Sequence, residues 1–338
     1  MAMRWACSPR STPAGRRRPR IPGGRRLVGA AALAVALVFA RAEGAAAKML
    51  GIIYPESCSF YDAATESLKA HLAANGFGSD KLEIFVQKPA AETMSWVNAL
   101  RKFDAVDADL IVVWGDSLLQ TACREKIKTM VSFGYVLKPG LNPCARSASN
   151  AAGKATGVSA GTPVQTLVAK ARLMTDFTTV GVMVFPDDVV AQEHVKELKS
   201  FEKELGFTVS VITVARREDA VAALRDAPAP GLFLLPNCSL VAGQMEQLLA
   251  LAAAKKIPTI SLLPPRGAAA ALLSLYPSPE EQGRLLGEQA VQILRGGSPA
   301  SPLLLPKKIE LEVNLPLARE LGVKTPMSLL GVATKVIK

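Results

Sequence analysis

The sequence has few of the residues that bind metals and no long apolar segment. It contains two histidines and five cysteines, and their spacing matches no zinc-binding pattern, so we expect no metal site. Aromatic residues make up only 5% of the chain. The longest apolar run, Leu27–Ala40, has 14 residues, whereas a transmembrane helix needs about 20. The glycine motifs that bind nucleoside phosphates or dinucleotides are absent, so no cofactor is expected.

The net charge of +11 is concentrated near the N-terminus. Residues 1–47 contain nine arginines and a single acidic residue, Glu43, which gives this segment a charge of +8. The rest of the chain has 31 basic and 28 acidic residues, a net charge of +3. Because little excess positive charge remains after residue 47, we expect no binding to nucleic acid.

Residues 1–47 have the three parts of a secretory signal. A basic region is followed by the short apolar core Leu27–Ala40 and then by the small residues Ala45, Ala46 and Ala47. We therefore predict cleavage after Ala47 and a soluble mature chain in the periplasm. The alternative is an N-terminal anchor, and the choice between Sec and twin-arginine export stays open.

Four cysteines follow the predicted signal: Cys58, Cys123, Cys144 and Cys238. An oxidising compartment permits disulfides, and four cysteines allow three complete pairings. Cys123 and Cys144 are nearest in sequence. The sequence alone does not choose among the pairings, and it does not exclude small buried thiols.

The chain after residue 48 alternates apolar runs of strand length with helical patterns, and this order occurs twice. Four pairs of matching segments lie in the same order about 130 residues apart: Gly51–Pro55 with Gly181–Pro186, Glu66–Phe77 with Lys196–Phe207, Leu110–Leu118 with Leu232–Leu240, and Lys126–Thr129 with Lys256–Thr259. Alternating strands and helices predict parallel sheets with right-handed crossovers. The repeat therefore predicts two similar α/β lobes.

Several predicted elements define these lobes more closely. Lys128–Phe133 is predicted as a strand of the first lobe and Val190–Leu205 as one helix of the second. After the second set come a strand at Leu272–Tyr276, a helix at Pro279–Arg295 and a strand at Lys308–Val313. These extra elements indicate that the chain crosses back between the lobes.

Five groups of residues resemble a known family: Thr156–Ser159, Gly181–Pro186, Lys256–Thr259, Gln282-Gly283 with the helix to Gly296, and the tail Ile309–Ala318 continuing to Pro326. With these motifs the sequence resembles the periplasmic substrate-binding proteins of ABC transporters, in the type I branch that includes binders of tryptophan and other aromatic amino acids. The resemblance extends from Met49 to about Leu330.

This resemblance implies an α/β fold of two Rossmann-like lobes, with parallel sheets flanked by helices and a hinge of about three crossings. Lobe one is expected to comprise residues 48–158 and about 277–303. Lobe two is expected to comprise residues 159–276 and about 304–338. A small ligand would be bound where the two lobes close on each other.

Parallel sheets bind ligands beyond the carboxyl ends of their strands, where helix N-termini offer free N–H groups. The residues at these ends and near the crossings are the candidate ligand-binding residues: Tyr54, Ser57, Trp114, Asp116, Ser117, Phe133, Ser159, Phe185, Asp187, Asn237, Ser239, Arg266 and Tyr276. Their aromatic members predict an apolar slot with polar ends, and the helix N-termini favour an anionic group such as a carboxylate. Structural roles stay open, such as helix N-caps for Asp187 and Ser117 and a solvated charge for Arg266.

The predicted function is a periplasmic receptor for one small ligand, amino-acid-like or aromatic, which a monomer delivers to an ABC permease in the inner membrane. One alternative is a ligand-binding module for a signalling partner, and another is a two-lobed enzyme. Gly157–Gly161 fits the G-x-S-x-G pattern of hydrolases. However, the only histidine after Ser159 is His194, in a predicted helix with the pattern of a solvated face, so no catalytic residue is expected.

Overall fold

Strands and helices alternate through the computed structural model, which describes residues 47–146, 155–186, 188–235, 243–265 and 269–338. The strands are β1 (Lys48–Ile53), β2 (Leu82–Gln87), β3 (Leu110–Trp114), β4 (Val131–Val136), β5 (Ala155–Ser159), β6 (Thr179–Val184), β7 (Thr208–Thr213), β8 (Leu232–Leu235), β9 (Thr259–Ser261), β10 (Leu273–Pro277), β11 (Leu303–Leu304), β12 (Ile309–Asn314) and β13 (Lys335–Ile337). The predicted signal sequence lies outside the described residues, apart from Ala47.

Twelve helices occur in the described ranges: α1 (Ser59–Ala74), α2 (Thr93–Ala105), α3 (Asp116–Glu125), α4 (Pro143–Arg146), α5 (Val164–Arg172), α6 (Val189–Ser200), α7 (Glu202–Leu205), α8 (Ala220–Asp226), α9 (Met245–Ala254), α10 (Pro279–Leu294), α11 (Leu315–Leu321) and α12 (Met327–Leu330). Within those same ranges, no helix combines the length and the apolar character needed to cross a membrane.

The strands form two sheets, which confirms the predicted α/β architecture of two lobes. One sheet has six strands in the order β11-β5-β4-β3-β1-β2, and the other has seven in the order β13-β12-β10-β9-β8-β6-β7. All neighbouring strands are parallel except β10 and β12. Five strands of each sheet share one order, because β5-β4-β3-β1-β2 corresponds to β10-β9-β8-β6-β7. The duplication read from the sequence is therefore also a duplication of topology.

The chain passes between the two sheets three times among the described strands. It leaves the first sheet after Ser159 at the end of β5 and returns after Pro277 at the end of β10. Helix α10 then lies against α1 of the first lobe, and β11 joins the edge of the first sheet. The third passage leads from Leu304 to β12. These three passages agree with the number expected for the fold.

Strand β3 shows how the apolar pattern produces the buried layers. All five of its residues, LIVVW, are buried, as expected for a parallel strand covered on both faces. Successive side chains point to opposite faces. Accordingly, Val112 and Trp114 pack in the cluster that contains α1 and α10 residues, and Ile111 and Val113 pack with residues of α2 and α3.

Strand β4 begins and ends three residues later than predicted. The predicted strand was Lys128–Phe133, whereas β4 is Val131–Val136. The side chain of Asp104, at the end of α2, accepts hydrogen bonds from the backbone N–H groups of Lys128 and Thr129. These bonds hold the residues before β4 in a turn, so Phe133 lies within the strand and not at its end.

Two further boundaries differ from the sequence prediction. The predicted helix Val190–Leu205 is two helices, α6 and α7, separated at Phe201, whose φ of −119° is not helical. The predicted strand Leu272–Tyr276 is β10, shifted by one residue to Leu273–Pro277.

A disulfide bond joins Cys123 in α3 to Cys144 in α4. The sequence had left this pairing open. Cys58 is not part of this bond, and Cys238 lies outside the described residues. Because α3 and the segment before α4 both border the space between the lobes, the disulfide attaches one wall of that space to another.

We predict that replacing both Cys123 and Cys144 by serine lowers the free energy of unfolding by about 3 kcal/mol. The reason is that the bond closes a loop with a sequence separation of 21 residues, and removing it restores that conformational freedom to the unfolded chain. Urea unfolding monitored by circular dichroism measures the change. Cys58→Ser, at a cysteine outside this bond, is the comparison and should change the free energy of unfolding by less than the double variant does. Equal stability of the double variant and the wild type would contradict the prediction.

Candidate ligand-binding cleft

A cleft of about 570 Å³ lies between the two lobes. Its walls are formed by residues within segments 91–96, 116–124 and 141–142 of the first lobe and segments 185–190 and 215–218 of the second. These segments follow the carboxyl ends of β2, β3, β4, β6 and β7, respectively. The cleft therefore occupies the position in which parallel sheets bind ligands.

Asp116 is the most strongly perturbed acid of the cleft. It begins α3 directly after β3, and its side chain is buried. Its carboxylate accepts hydrogen bonds from the backbone N–H groups of Leu137, at 2.9 Å, and Lys138, at 3.3 Å. Burial, and to a smaller extent the negative charge of Asp188, raises the pKa of Asp116 to about 7, although these hydrogen bonds lower it. Asp116 and Asp188 thus line the cleft from different lobes, and the charge of Asp188 disfavours ionisation of Asp116.

Asp188 is the N-cap of α6, because its side chain accepts a 2.9 Å hydrogen bond from the backbone N–H of Ala191. The sequence had indicated Asp187 for this role, and Asp187 lies outside the described residues. The cap of α3 is Gly115, with φ of 80°, and Ser117 is the second residue of that helix. Helices α3 and α6 therefore both begin at the cleft, which their first residues line.

An aromatic cluster lies at the carboxyl ends of β1, β3 and β4. The ring of Tyr61 lies 5.7 Å from Tyr54, 6.0 Å from Trp114 and 6.1 Å from Tyr135, measured between centroids. Trp114 packs on Gly134, where any Cβ would overlap the indole. The indole Nε1–H of Trp114 is buried and has no hydrogen-bond partner among the described residues. A buried donor of this kind costs free energy unless a partner is supplied.

Three of the residues predicted from the sequence, Asp116, Ser117 and Phe185, line the cleft. Trp114 and Tyr54 follow from the same strand ends, but their side chains are buried in the core and do not line it. Burial raises the pKa of Tyr54 to about 12, and its hydroxyl donates to the carbonyl of Tyr61.

Among the described residues, four further predicted ones do not line the cleft. Ser57 is exposed, and Phe133 packs in the core between the first sheet and helices α2 and α3. Phe133 lies there because β4 extends three residues further than predicted. The hydroxyl of Ser159 accepts a hydrogen bond from the N–H of Gly161, and the hydroxyl of Tyr276 donates to Glu312. Asn237, Ser239 and Arg266 lie outside the described residues.

The cleft also contains residues that the sequence analysis did not select: Glu92, Trp96, Gln120, Arg124, Asn142 and Glu218. Glu92 and Trp96 lie beyond β2, and Glu218 lies beyond β7. Parallel sheets bind ligands beyond the carboxyl ends of all their strands, so the ends of β2 and β7 would have indicated these three residues. Trp96 donates its indole N–H to the carbonyl of Pro55.

The sequence prediction for His194 was wrong. Its pattern predicted a solvated face, but the side chain is completely buried in α6. Burial and the positive charge of Lys138 lower its pKa to about 3. Neither ring nitrogen has a hydrogen-bond partner in the described part of the chain, so His194 is not bonded to Ser159 as a hydrolase triad requires. No group of three potential metal ligands occurs among the described residues either.

The fold and the position of the cleft define a two-lobed α/β binding protein of type I. Residues 50–337 match the family model "ABC transporter substrate binding protein", and the chain belongs to that family. Such proteins bind small ligands and work with ABC permeases. The comparison with curated proteins yields no match.

Solved structures agree with this fold. A protein from Streptococcus pneumoniae in complex with L-Trp has a TM-score of 0.76 at 20% identity, over 86% of this chain and 100% of that one. A conserved domain protein from Vibrio cholerae has a TM-score of 0.75 at 20% identity, over 86% and 99%. A solute-binding protein from Agrobacterium vitis bound with alpha-D-tagatopyranose has a TM-score of 0.57 at 15% identity, over 78% and 94%. At these identities the likeness concerns the fold.

We predict that Asp116 makes the protein less stable as the pH rises from 4 to 7. Its pKa is about 7 in the folded state, against an ordinary value of 3.8 for an unperturbed Asp. The stability contributed by the neutral carboxyl is therefore fully present below pH 3.8 and is lost as the pH rises through 7. The free energy of unfolding of the wild type, relative to Asp116→Asn, should fall over this range by about 4 kcal/mol. Urea unfolding at several pH values measures the difference.

Asp104→Asn is a control for which the free energy of unfolding should depend on pH in the opposite direction. Burial raises the pKa of Asp104, but hydrogen bonds from Thr129 and Lys128 outweigh it and lower the pKa. The stability that Asp104 contributes is therefore present above its ordinary pKa and is lost as the pH falls. A pH-independent difference between the wild type and Asp116→Asn would contradict the prediction for Asp116.

Proposed function

We propose that this member of the family is an extracytoplasmic receptor for an amino-acid-like ligand, which it binds between its lobes by closure about the three crossings. The observation that carries this proposal is the cleft, in which Asp116 of one lobe and Asp188 of the other lie beside the N-termini of two helices. An amino acid offers both charges that such a site complements.

The ligand's ammonium group is assigned to the two carboxylates. Two acids that repel each other are stabilised by a positive charge placed between them, and they then bind it in their ionised forms. The ligand's carboxylate is assigned to the N-terminal end of α3 or α6, where the helix dipole favours an anion. Arg124, exposed at the edge of the cleft, adds a positive charge on the same side.

The aromatic cluster supports an apolar or aromatic body for the ligand. Tyr54, Tyr61 and Trp114 lie together at the strand ends beside the cleft. The unpartnered indole N–H of Trp114 is the donor that we assign to the ligand. Sugars also stack on aromatic rings, but they do not neutralise two acids. The acid pair therefore favours an amino acid over a sugar.

Closure is proposed to occur between lobe one, residues 48–158 with about 277–303, and lobe two, residues 159–276 with about 304–338. The membership of the strands in the two sheets supports this division. A ligand shifts the balance toward the closed form only through its extra affinity for that form, so it must contact both lobes. Residues 1–47 are proposed to direct export and to be removed, and an ABC permease is the proposed partner of the closed form.

We predict that a thermal-shift screen of residues 48–338 will give its largest response with an amino acid. The screen contains the twenty amino acids, including L-tryptophan, together with pentoses, hexoses and inositols. Ligand at 100 times its dissociation constant adds about 2.7 kcal/mol to the free energy of unfolding. A response confined to sugars would contradict the assignment of the acid pair, and a response to no compound would contradict the receptor function.

We also predict that Trp114→Phe weakens binding of the compound identified in that screen about tenfold. The change keeps an aromatic ring over Gly134 and removes only the donor, and a hydrogen bond worth about 1.4 kcal/mol corresponds to this factor. Isothermal titration calorimetry measures the affinity.

Trp96→Phe is the matched comparison, because the N–H of Trp96 already donates to Pro55 within the protein. This variant should lose stability more than affinity. If Trp114→Phe bound the compound with the affinity of the wild type, the assignment of the Trp114 N–H to the ligand would be wrong.

A further inference from the structure

Tyr135 has an unusual backbone conformation at the end of β4. Its φ is 56°, in the left-handed region that residues other than glycine seldom adopt. The pairing of β4 with β5 shifts its register between Phe133 and Val136, so the irregularity is centred on this residue. The side chain is almost completely buried. A strained, buried residue persists only when its surroundings hold it in place.

Gln282 supplies part of that support. The backbone N–H of Tyr135 donates a 2.9 Å hydrogen bond to Oε1 of Gln282, and Nε2 of Gln282 donates a 2.8 Å bond to the carbonyl of Ser159. Gln282 belongs to α10 and has no exposed surface. One amide group thus connects the ends of β4 and β5 to the helix that returns from the second lobe.

The hydroxyl of Tyr135 extends in the other direction, to the second lobe. It donates a 2.7 Å hydrogen bond to the carbonyl of Leu262, which directly follows β9. The ring is held on its own lobe by Phe60, with 4.4 Å between centroids. Tyr135 therefore contributes its backbone and ring to lobe one and its hydroxyl to lobe two.

We propose that Tyr135 is a latch between the lobes and that Gln282 is the residue that positions it. This inference rests on the closing motion of the proposed function. In this proposal the bond to Leu262 forms when the lobes close, so it stabilises the closed form without contacting the ligand. Gln282 holds the backbone of Tyr135 in the conformation that directs the hydroxyl across the interface.

The chemistry of Gln282 fits this role. An amide both accepts from the N–H of Tyr135 and donates to the carbonyl of Ser159, whereas a carboxylate only accepts and an aliphatic side chain does neither. Another polar contact between the lobes, the 2.8 Å ion pair of Lys138 and Glu197, leaves about a third of each side chain exposed. A bond buried from water contributes more reliably than such a partly exposed pair.

The test is small-angle X-ray scattering of the purified protein without added ligand, comparing the wild type with Tyr135→Phe. This change removes only the hydroxyl and keeps the ring on Phe60. We expect the ratio of closed to open molecules to fall about fivefold, which corresponds to about 1 kcal/mol, the usual net contribution of one hydrogen bond. A scattering curve identical to that of the wild type would overturn the latch.

The role of Gln282 is tested with two glutamines of the same helix. Gln282→Leu should open the lobes as Tyr135→Phe does and should increase hydrogen exchange at the backbone amide of residue 135. Gln289→Leu is the control, because Gln289 is buried in α10 but donates to Ser301. The double variant Tyr135→Phe with Gln282→Leu should open no further than Tyr135→Phe alone, because Gln282 acts through Tyr135. Additive effects would overturn the positioning role.

The scattering test of the latch can fail or succeed separately from the ligand screen. If Tyr135→Phe opens the protein while no compound stabilises it, the latch stands and the proposed receptor function fails. If an amino acid binds while Tyr135→Phe leaves both the scattering and the affinity unchanged, the receptor function stands and the latch fails.

Discussion

The main constraint on this structure is that the carboxyl edges of two parallel sheets face each other. The described loops that follow β2, β3, β4, β6 and β7 line the space between the lobes, and helices α3 and α6 begin there. The order of strands is the same in both lobes, so the same types of loop meet from the two sides. The composition of the cleft follows from this geometry, since polar side chains can stay hydrated there while the strands behind them are buried.

The duplicated architecture was accessible from the sequence because it depends on local patterns. Continuous apolar strands such as Leu110–Trp114 and the repeated order of segments predicted the two lobes. Even the left-handed residues that follow α3 and α9, Lys126 and Lys256, occupy matching positions in the repeat, with φ of 53° and 56°. Local signals of this kind do not require knowledge of distant contacts.

The features that escaped the sequence depend on contacts between distant residues. The start of β4 is set by Asp104, whose carboxylate binds the backbone 24 and 25 residues further along. His194 lies among polar neighbours in sequence, yet it faces the interior of the folded protein. The pairing of Cys123 with Cys144 requires α3 and α4 to be adjacent. The N-cap of α6 is Asp188, whereas the sequence indicated Asp187. The sequence cannot separate two adjacent aspartates, because the cap depends on the geometry of the first turn.

The two proposed elements, the acid pair and the bond from Tyr135 to Leu262, have opposite effects on closure of the lobes. Asp116 and Asp188 belong to different lobes, so bringing the lobes together brings like charges together, and this repulsion opposes closure in the absence of a cation. The bond from Tyr135 to Leu262 favours closure but does not distinguish one ligand from another. In the proposed binding mode, an ammonium group between the acids replaces their repulsion by attraction, and it does so in the closed form. The ligand's differential affinity, which alone shifts the equilibrium, then arises at the acid pair, while the latch sets the starting balance against which that affinity acts.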